Sequence, residues 1–384
     1  MTRITEDWLT SPATQKVCAA LTDGGAQALF VGGCVRNALL NAPVSDIDIS
    51  TNVHPERVME LAKAAGIKAV PTGIEHGTVT LVQGGEPFEI TTFRRDVETD
   101  GRRAIVAFAE TIEEDAARRD FTMNAIYARP DGTVIDPLNG LPDLIARRVR
   151  FIGTAEHRIR EDYLRSLRFF RFHAWYGDAD AGFDADALAA IAANLDGLER
   201  LSRERVGAEM LKLLGASDPA PSVAAMRTAG VLGAVLPGAD DRALGPVVHV
   251  EGELGEAPDA VLRLASMGDA NVVGTLRLSK AQLKAVEALR EAATGTAGAA
   301  ELGYRLGRDQ AIKAMVLRSA LLEMPIAPNV RCDAEQGSKA VLPVSAKDLL
   351  PNFKGRELGE KLSQLERTWI ASGFELTREE LLAT

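Results

Sequence analysis

Two aspartates one residue apart, Asp46 and Asp48, are the side chains in this sequence best suited to chemistry. They sit in Ser45-Asp46-Ile47-Asp48-Ile49-Ser50, whose alternation predicts a strand over residues 45–50. Period-two geometry then puts both carboxylates on one face and the isoleucines on the other. Neighbouring carboxylates repel, so a hard cation such as Mg²⁺, which takes oxygens from protein and substrate phosphates, suits the position. A solvent-facing edge strand would carry the same pair without a metal. The stretch upstream favours the metal: Leu29-Phe30-Val31 reads as a short buried strand, Gly32-Gly33 as a tight turn, and residues 35–40 as the start of a helix. A glycine pair there lets backbone amides approach a phosphate. The fork of donors on Arg36 can grip the same anion.

A second stretch also carries chemistry. Residues 159–173 (IREDYLRSLRFFRFH) read as one helix with Tyr163, Leu164, Leu167 and Phe170 on an apolar side. Asp162, Arg165, Arg168 and Arg171 recur at every third position and trace a slanting stripe. An i,i+3 ion pair on a wet helix explains Asp162 with Arg165, but not the further arginines. Arg118-Arg119-Asp120 opens residues 117–129, three charges running straight into what reads as an apolar helix. Glu89 shares a face with Thr91 and Phe93 on a strand over 87–93, either as a third metal-facing carboxylate or as a solvent-facing edge residue. Residues 94–108 are polar, contain one glycine and read as a mobile loop, a lid or plain surface.

The elements that must hold these residues belong to a chain of 384 residues, long enough for two to four compact units. Its composition, 46% hydrophobic and 26% charged, is that of an ordinary globular protein. The net charge of −10 argues against a nucleic-acid partner only as a total. Eight arginines between residues 145 and 171 face only Glu156, Glu161 and Asp162, so a local basic surface survives. Cys18, Cys34 and Cys332 form no C-x-x-C, which points away from zinc and disulfides and toward a reduced, cytoplasmic setting. No stretch is apolar for long enough to predict a membrane span or a signal peptide. Residues 5–28 read as an amphipathic helix ending near Asp23-Gly24-Gly25, and residues 55–65 as another. Strands follow near Val70 and over 78–82, and Asp136-Pro137 opens a structural turn. From about Gly215 strand signals vanish and the chain reads as all-helical.

Taken in order, these segments resemble the class II tRNA nucleotidyltransferase/poly(A) polymerase family of the DNA polymerase β superfamily. The resemblance rests on five motifs: Gly32-Gly33-x-x-Arg36 with Asp46-x-Asp48; Arg118-Arg119-Asp120; Asp136-Pro137, Gly140 and Asp143-Leu144; Glu161-Asp162-x-x-Arg165; and Leu201-Ser202-x-Glu204-Arg205-Val206 with Glu209. It covers roughly residues 25–210 and is weaker beyond. Asn37 departs from the family, which usually has Asp there. The resemblance implies an α+β chain: a nucleotidyltransferase head over 1–150 with a small mixed sheet, a helical neck with a base-reading segment over 151–215, and a helical tRNA-binding body and tail over 216–330 and 331–384. It implies template-independent addition of C, C and A to tRNA from CTP and ATP, with two Mg²⁺ ions on Asp46 and Asp48. Gly33 and Arg36 would hold phosphate oxygens, Arg119 the sugar or triphosphate, and Arg168 and Arg171 would continue toward the phosphates. Asp162 and Arg165 would read the base by the amino group that C and A share. Relatives with the same motifs make poly(A), or add only CC or only A. The loop around Asp100-Gly101-Arg102-Arg103 resembles that of complete CCA-adders. A tRNA-binding protein without activity is disfavoured because both aspartates are present.

Overall fold

The computed structural model describes residues 2–99, 104–268, 271–350 and 352–384. It divides into two compact units, Met1–Pro237 and Gly238–Thr384. Among the described residues, the first holds all the sheet structure. Strands β1 (Leu29–Val31), β2 (Asp48–Thr51), β3 (Lys68–Gly73), β4 (Thr78–Gln83), β5 (Glu86–Thr92), β8 (Tyr127–Ala128) and β9 (Val134–Ile135) make one sheet in the order β3-β4-β5-β2-β1-β8-β9. The β2–β5 pairing is parallel and the others are antiparallel, so the sheet is mixed, as expected. Leu29 and Val31 of β1 pack with Phe93 and Tyr127 in one core. Phe30, pointing the other way, meets Trp8 edge to face with centroids 5.1 Å apart.

Helices α1 (Asp7–Thr10), α2 (Pro12–Thr22), α3 (Gly33–Leu39) and α4 (Pro55–Ala64) fall within the first half of this unit. The single helix expected over 5–28 is therefore two. Pro12 has no N–H for a continuing helix, and Ser11 caps the new start by accepting from Thr14 N. The stretch 94–108, expected as a loop, contains an antiparallel pair, β6 (Arg94–Thr99) and β7 (Ala104–Phe108). The comparison made on residues 100–103 lies outside the described residues. Helix α5 (Ile112–Ala117) follows, with a capping box between Thr111 and Glu114. The apolar helix expected over 117–129 is instead a buried 3₁₀ turn, Thr122–Asn124, leading into β8. Burial on every side gives such a turn the same apolar signature as a core helix.

After α6 (Leu141–Ile145), the helix expected over 159–173 is split into α7 (Ala155–Glu161) and α8 (Leu164–Tyr176). Asp162 is extended between them, with φ −153° and ψ 105°. Phe121, Phe151, Phe169 and Phe172 pack ring against ring at centroid separations of 4.9 to 6.3 Å and fasten α8 to the sheet-bearing part. Each is nearly fully buried, worth about 2–3 kcal/mol apiece in transfer terms. Helices α9 (Ala185–Ala192) and α10 (Arg203–Leu214) complete the surroundings of the site, α10 packing on α8. The described residues of the second unit hold helices and no strands, the all-helical character read from residue 215 onward. One of its cores gathers Val344, Leu349, Leu365, Trp369 and Leu381.

Candidate active site

Gly32 joins β1 to α3 at φ +72° and ψ −120°, a conformation that a side chain would strain. The turn leaves the start of α3 uncapped by any side chain and facing a cavity of about 480 Å³. Among the described residues seven arginines line this cavity, 36, 118, 119, 165, 168, 171 and 205, against Asp48, Asp120 and Asp162. Such a balance suits a ligand with several negative charges.

The acidic wall belongs to the middle of the sheet. β2 begins at Asp48, so the strand expected over 45–50 is shorter, and the exposed Asp46 precedes it. Ser45 Oγ donates to Asp46 Oδ2 at 3.0 Å. Parallel pairing sets Asp48 beside Glu89 in register, and β5 is an interior strand, so Glu89 is not an edge residue. Burial first, then the Glu89 carboxylate, push the Asp48 carboxyl up to about 6, with Arg119 opposing and Asp46 adding. Acids crowded this way suit a cation with oxygen ligands. Among the described residues, however, no three acid, His or Cys side chains converge as a complete metal cluster. That is compatible with Mg²⁺, which is commonly held by one or two carboxylates together with water and substrate phosphates.

The basic wall is held from behind. Arg36 is buried, donates to Asn124 Oδ1 at 2.6 Å and to Tyr176 OH at 2.8 Å, and lies over the Tyr176 ring at 4.0 Å. Asn37, the departure noted in the first motif, accepts from Arg36 Nε and Nη2. It supports the arginine without neutralising it. Asp120 Oδ2 takes Arg168 Nε at 2.7 Å and pairs with Nη2 at 2.5 Å. Arg171 Nε donates to Glu209 at 2.6 Å. Burial raises the Asp120 carboxyl, but Arg168 and Asn124 outweigh it and hold it below the ordinary range.

Asp162 and Arg165 both line the cavity but do not pair with each other. Asp162 Oδ2 accepts from Arg205 Nη2 at 2.6 Å, and Oδ1 from Leu164 N at 3.1 Å. Arg165 Nη1 is held by Glu161 and by the Arg158 carbonyl, and Nη2 by the Arg118 carbonyl at 3.0 Å. Asp162 stands outside the helix in an extended conformation, so although Arg165 N still donates to its carbonyl at 2.9 Å, its carboxylate is taken by Arg205 and not by the i,i+3 arginine. Gly33, Arg36, Asp48, Arg119, Asp162, Arg165, Arg168 and Arg171 are thus gathered around one space, with Asp46 at its margin. Arg118, Asn124 and Arg205 also face it, and the sequence assigns none of the three a role of its own at the site. Arg118 and Arg205 stood inside quoted motifs, whereas Asn124 had no signal beyond lying four residues after Asp120.

Residues 28–150 match the family described as Poly A polymerase head domain, and residues 182–242 match Probable RNA and SrmB- binding site of polymerase A. The chain is 44% identical over 186 residues to the human mitochondrial CCA tRNA nucleotidyltransferase 1, covering 48% of this chain and 43% of that protein. It is 44% identical over 202 residues to the CCA-adding enzyme of Leuconostoc citreum, covering 52% and 48%. The chain thus spans about half the length of the curated relatives it matches. Among solved structures, the Bacillus stearothermophilus CCA-adding enzyme in complex with CTP superposes with a TM-score of 0.71 at 28% identity, covering 94% of each chain. The Thermotoga maritima CCA-adding enzyme complexed with tRNA shares the fold, with a TM-score of 0.71 at 19% identity. The family read from the motifs is the one these comparisons return, and the head carries the Gly32-Gly33 turn, Asp46, Asp48 and Arg119 of the site.

Proposed function

We propose that the chain adds C, C and A to the 3′ end of tRNA without a template, using CTP and ATP and releasing pyrophosphate. The observation that carries this reading is the cavity itself, with seven arginines opposite an aspartate-bearing strand. Likeness to named CCA-adding enzymes supports the choice of substrates. Asp46 and Asp48 would hold Mg²⁺, which when bound supplies charge neutralisation at the triphosphate and a lower pKa for the attacking hydroxyl. Arg36, Arg119 and the Gly33 amide bind phosphate oxygens, and Arg168 and Arg171 extend the positive wall. Asp162 accepts from the exocyclic amine of cytosine or adenine while Arg165 donates to the ring edge. Uracil and guanine offer a carbonyl there instead and leave the carboxylate unmatched, which penalises them strongly. On this reading residues 1–150 are the catalytic head and 151–215 the neck, with 216–330 and 331–384 the tRNA-binding body and tail, whose phosphate contacts would weaken with salt. Three free thiols fit a cytoplasmic enzyme.

The test is a tRNA transcript lacking its 3′ CCA, incubated with Mg²⁺ and CTP, ATP or both. Two C residues from CTP alone, a single A added only after them, and loss of both steps in Asp46→Ala and Asp48→Ala are expected. The loss should be at least about a thousandfold, or about 4 kcal/mol. Long A tails from ATP alone would make the chain a poly(A) polymerase, the reading favoured by the name of its head family. Tails that stop at CC, or A added only to tRNA already ending in CC, would make it a partial adder.

A further inference from the structure

Asp115 lies on α5, outside every quoted motif, and its residue is fully buried. Its carboxylate nevertheless takes four donors. Oδ1 accepts from Arg118 Nε at 3.1 Å and from Arg94 N at 3.2 Å. Oδ2 accepts from Tyr127 OH at 2.7 Å and from Arg119 Nη2 at 3.0 Å. Two of these donors, Arg118 and Arg119, are cavity-lining guanidiniums that would repel each other without a shared anion behind them.

The geometry also determines which N–H group is left for a ligand. Arg119 spends Nε on Tyr127 OH at 3.2 Å and Nη2 on Asp115 and Ser50. Among the described residues Nη1 has no protein partner, and it lies 3.6 Å from where a Cβ on Gly32 would be. The donor left over therefore faces the glycine turn. Arg118 passes the restraint on, because its carbonyl accepts from Arg165 Nη2. The Arg94 amide, in turn, belongs to the first residue of β6. The carboxyl is held down to about 2, burial being outweighed by Arg119, Arg118 and Tyr127, so it is an anion at neutral pH.

We propose that Asp115 is a positioning residue for nucleotide transfer, holding Arg118 and Arg119 so that Arg119 Nη1 is presented to the triphosphate beside Gly32, and tying that orientation to the base of the β6–β7 hairpin. The inference rests on the nucleotidyltransferase reading above. Because Asp115 touches no substrate, its effect must run through the arginines, and that makes it separable from a purely structural role.

The test uses the full chain with Mg²⁺, CTP and tRNA lacking CCA, with thermal unfolding as the check on folding. Asp115→Asn keeps the size of the side chain and removes its charge. It should raise KM for CTP at least tenfold with kcat changed by less than about threefold, and Asp115→Glu should recover part of the loss. In Asp115→Asn/Arg119→Ala, KM should stay within about twofold of Arg119→Ala alone, because one pathway carries both effects. An unchanged KM in Asp115→Asn, or penalties that multiply in the double variant, would overturn the inference. Should Asp115→Asn fail to fold, Tyr127→Phe removes one donor to Asp115 and the acceptor of Arg119 Nε, and should still raise KM several-fold; an unchanged value there is equally fatal. A wild-type chain that transfers no nucleotide overturns the functional reading and this inference with it. A working wild type matched by Asp115→Asn overturns this inference alone.

Discussion

Arg168 lines the cavity, yet its strongest contacts are to the protein, and removing it should cost stability before it costs anything else. In Arg168→Met the Asp120 carboxylate loses both bonds to Oδ2 and keeps only Phe121 N and Asn124 Nδ2, each at 2.9 Å to Oδ1. Breaking a buried ion pair from one side costs roughly 3–5 kcal/mol. The Asp120 side chain is 8% exposed and that of Arg168 30%, so water can partly replace the guanidinium and the low end applies, about 3 kcal/mol. Methionine keeps much of the stem packing and gives up the charge over the Phe172 ring at 5.3 Å. The loss should also depend on pH. With Arg168 present the Asp120 carboxyl is depressed, so its contribution is full above the unfolded pKa and is lost as pH falls through the folded one. Without Arg168 the strongest influence opposing burial is gone and the carboxyl rises from its wild-type position, so the variant gains less stability than the wild type as pH rises. The gap between the two proteins should therefore narrow as pH falls toward the ordinary carboxylate range. Urea unfolding followed by tryptophan fluorescence measures it. In a Trp369→Phe background only Trp8 and Trp175 remain, both in the first unit. A gap below about 1 kcal/mol at neutral pH, or one that does not change with pH, would refute the reasoning.

Two further substitutions probe the surroundings of Asp162. Arg205→Met releases Asp162 Oδ2 from its partner at 2.6 Å, and the preference for CTP over UTP should fall about tenfold, equivalent to about 1.4 kcal/mol; ratios of kcat/KM measure it, and an unchanged ratio counts against any role of Arg205 in holding the carboxylate. Gly197→Ala would place a Cβ 1.9 Å from ring carbons of Tyr163, a clash with a rigid group that should cost about 2 kcal/mol, within the usual range for overpacking. An unchanged Tm would show that Tyr163, and the extended Asp162 next to it, can move freely.

Local chemistry was legible in the sequence and long-range partnership was not. The Gly32-Gly33 turn, the helix at Pro55 and the Asp136 turn are each specified by neighbours in sequence. Asp136 Oδ1 and Oδ2, for instance, accept from Gly140 N and Leu141 N. The split between α7 and α8 carries no Gly or Pro to announce it. It coincides with contacts from far along the chain, Arg205 on Asp162 and Gly197 under Tyr163. The β6–β7 hairpin was hidden by its charged, loop-like composition. Its pairing is internal, with a register shift between Asp96 and Glu98. Arginine spacing suggested a stripe, but which acid each arginine takes depends on the fold: Glu161 for Arg165, Asp120 for Arg168 and Glu209 for Arg171.

The parallel match between β2 and β5 bears on the order in which the molecule assembles. Strands β3, β4 and β5 follow one another through short connections and can zip together on their own, whereas β2 must join across roughly forty residues of intervening chain. A growing polypeptide that has reached only β4 can already pair β2 with β1 but has no acid to set beside Asp48. Glu89 arrives with the next strand, so the mutual repulsion of the two acids is imposed only when most of the surrounding framework is available to bear it. Docking of this distant partner is then expected to be slower than the zipping of β3, β4 and β5, and to precede the still longer-range pairing of β8 with β1.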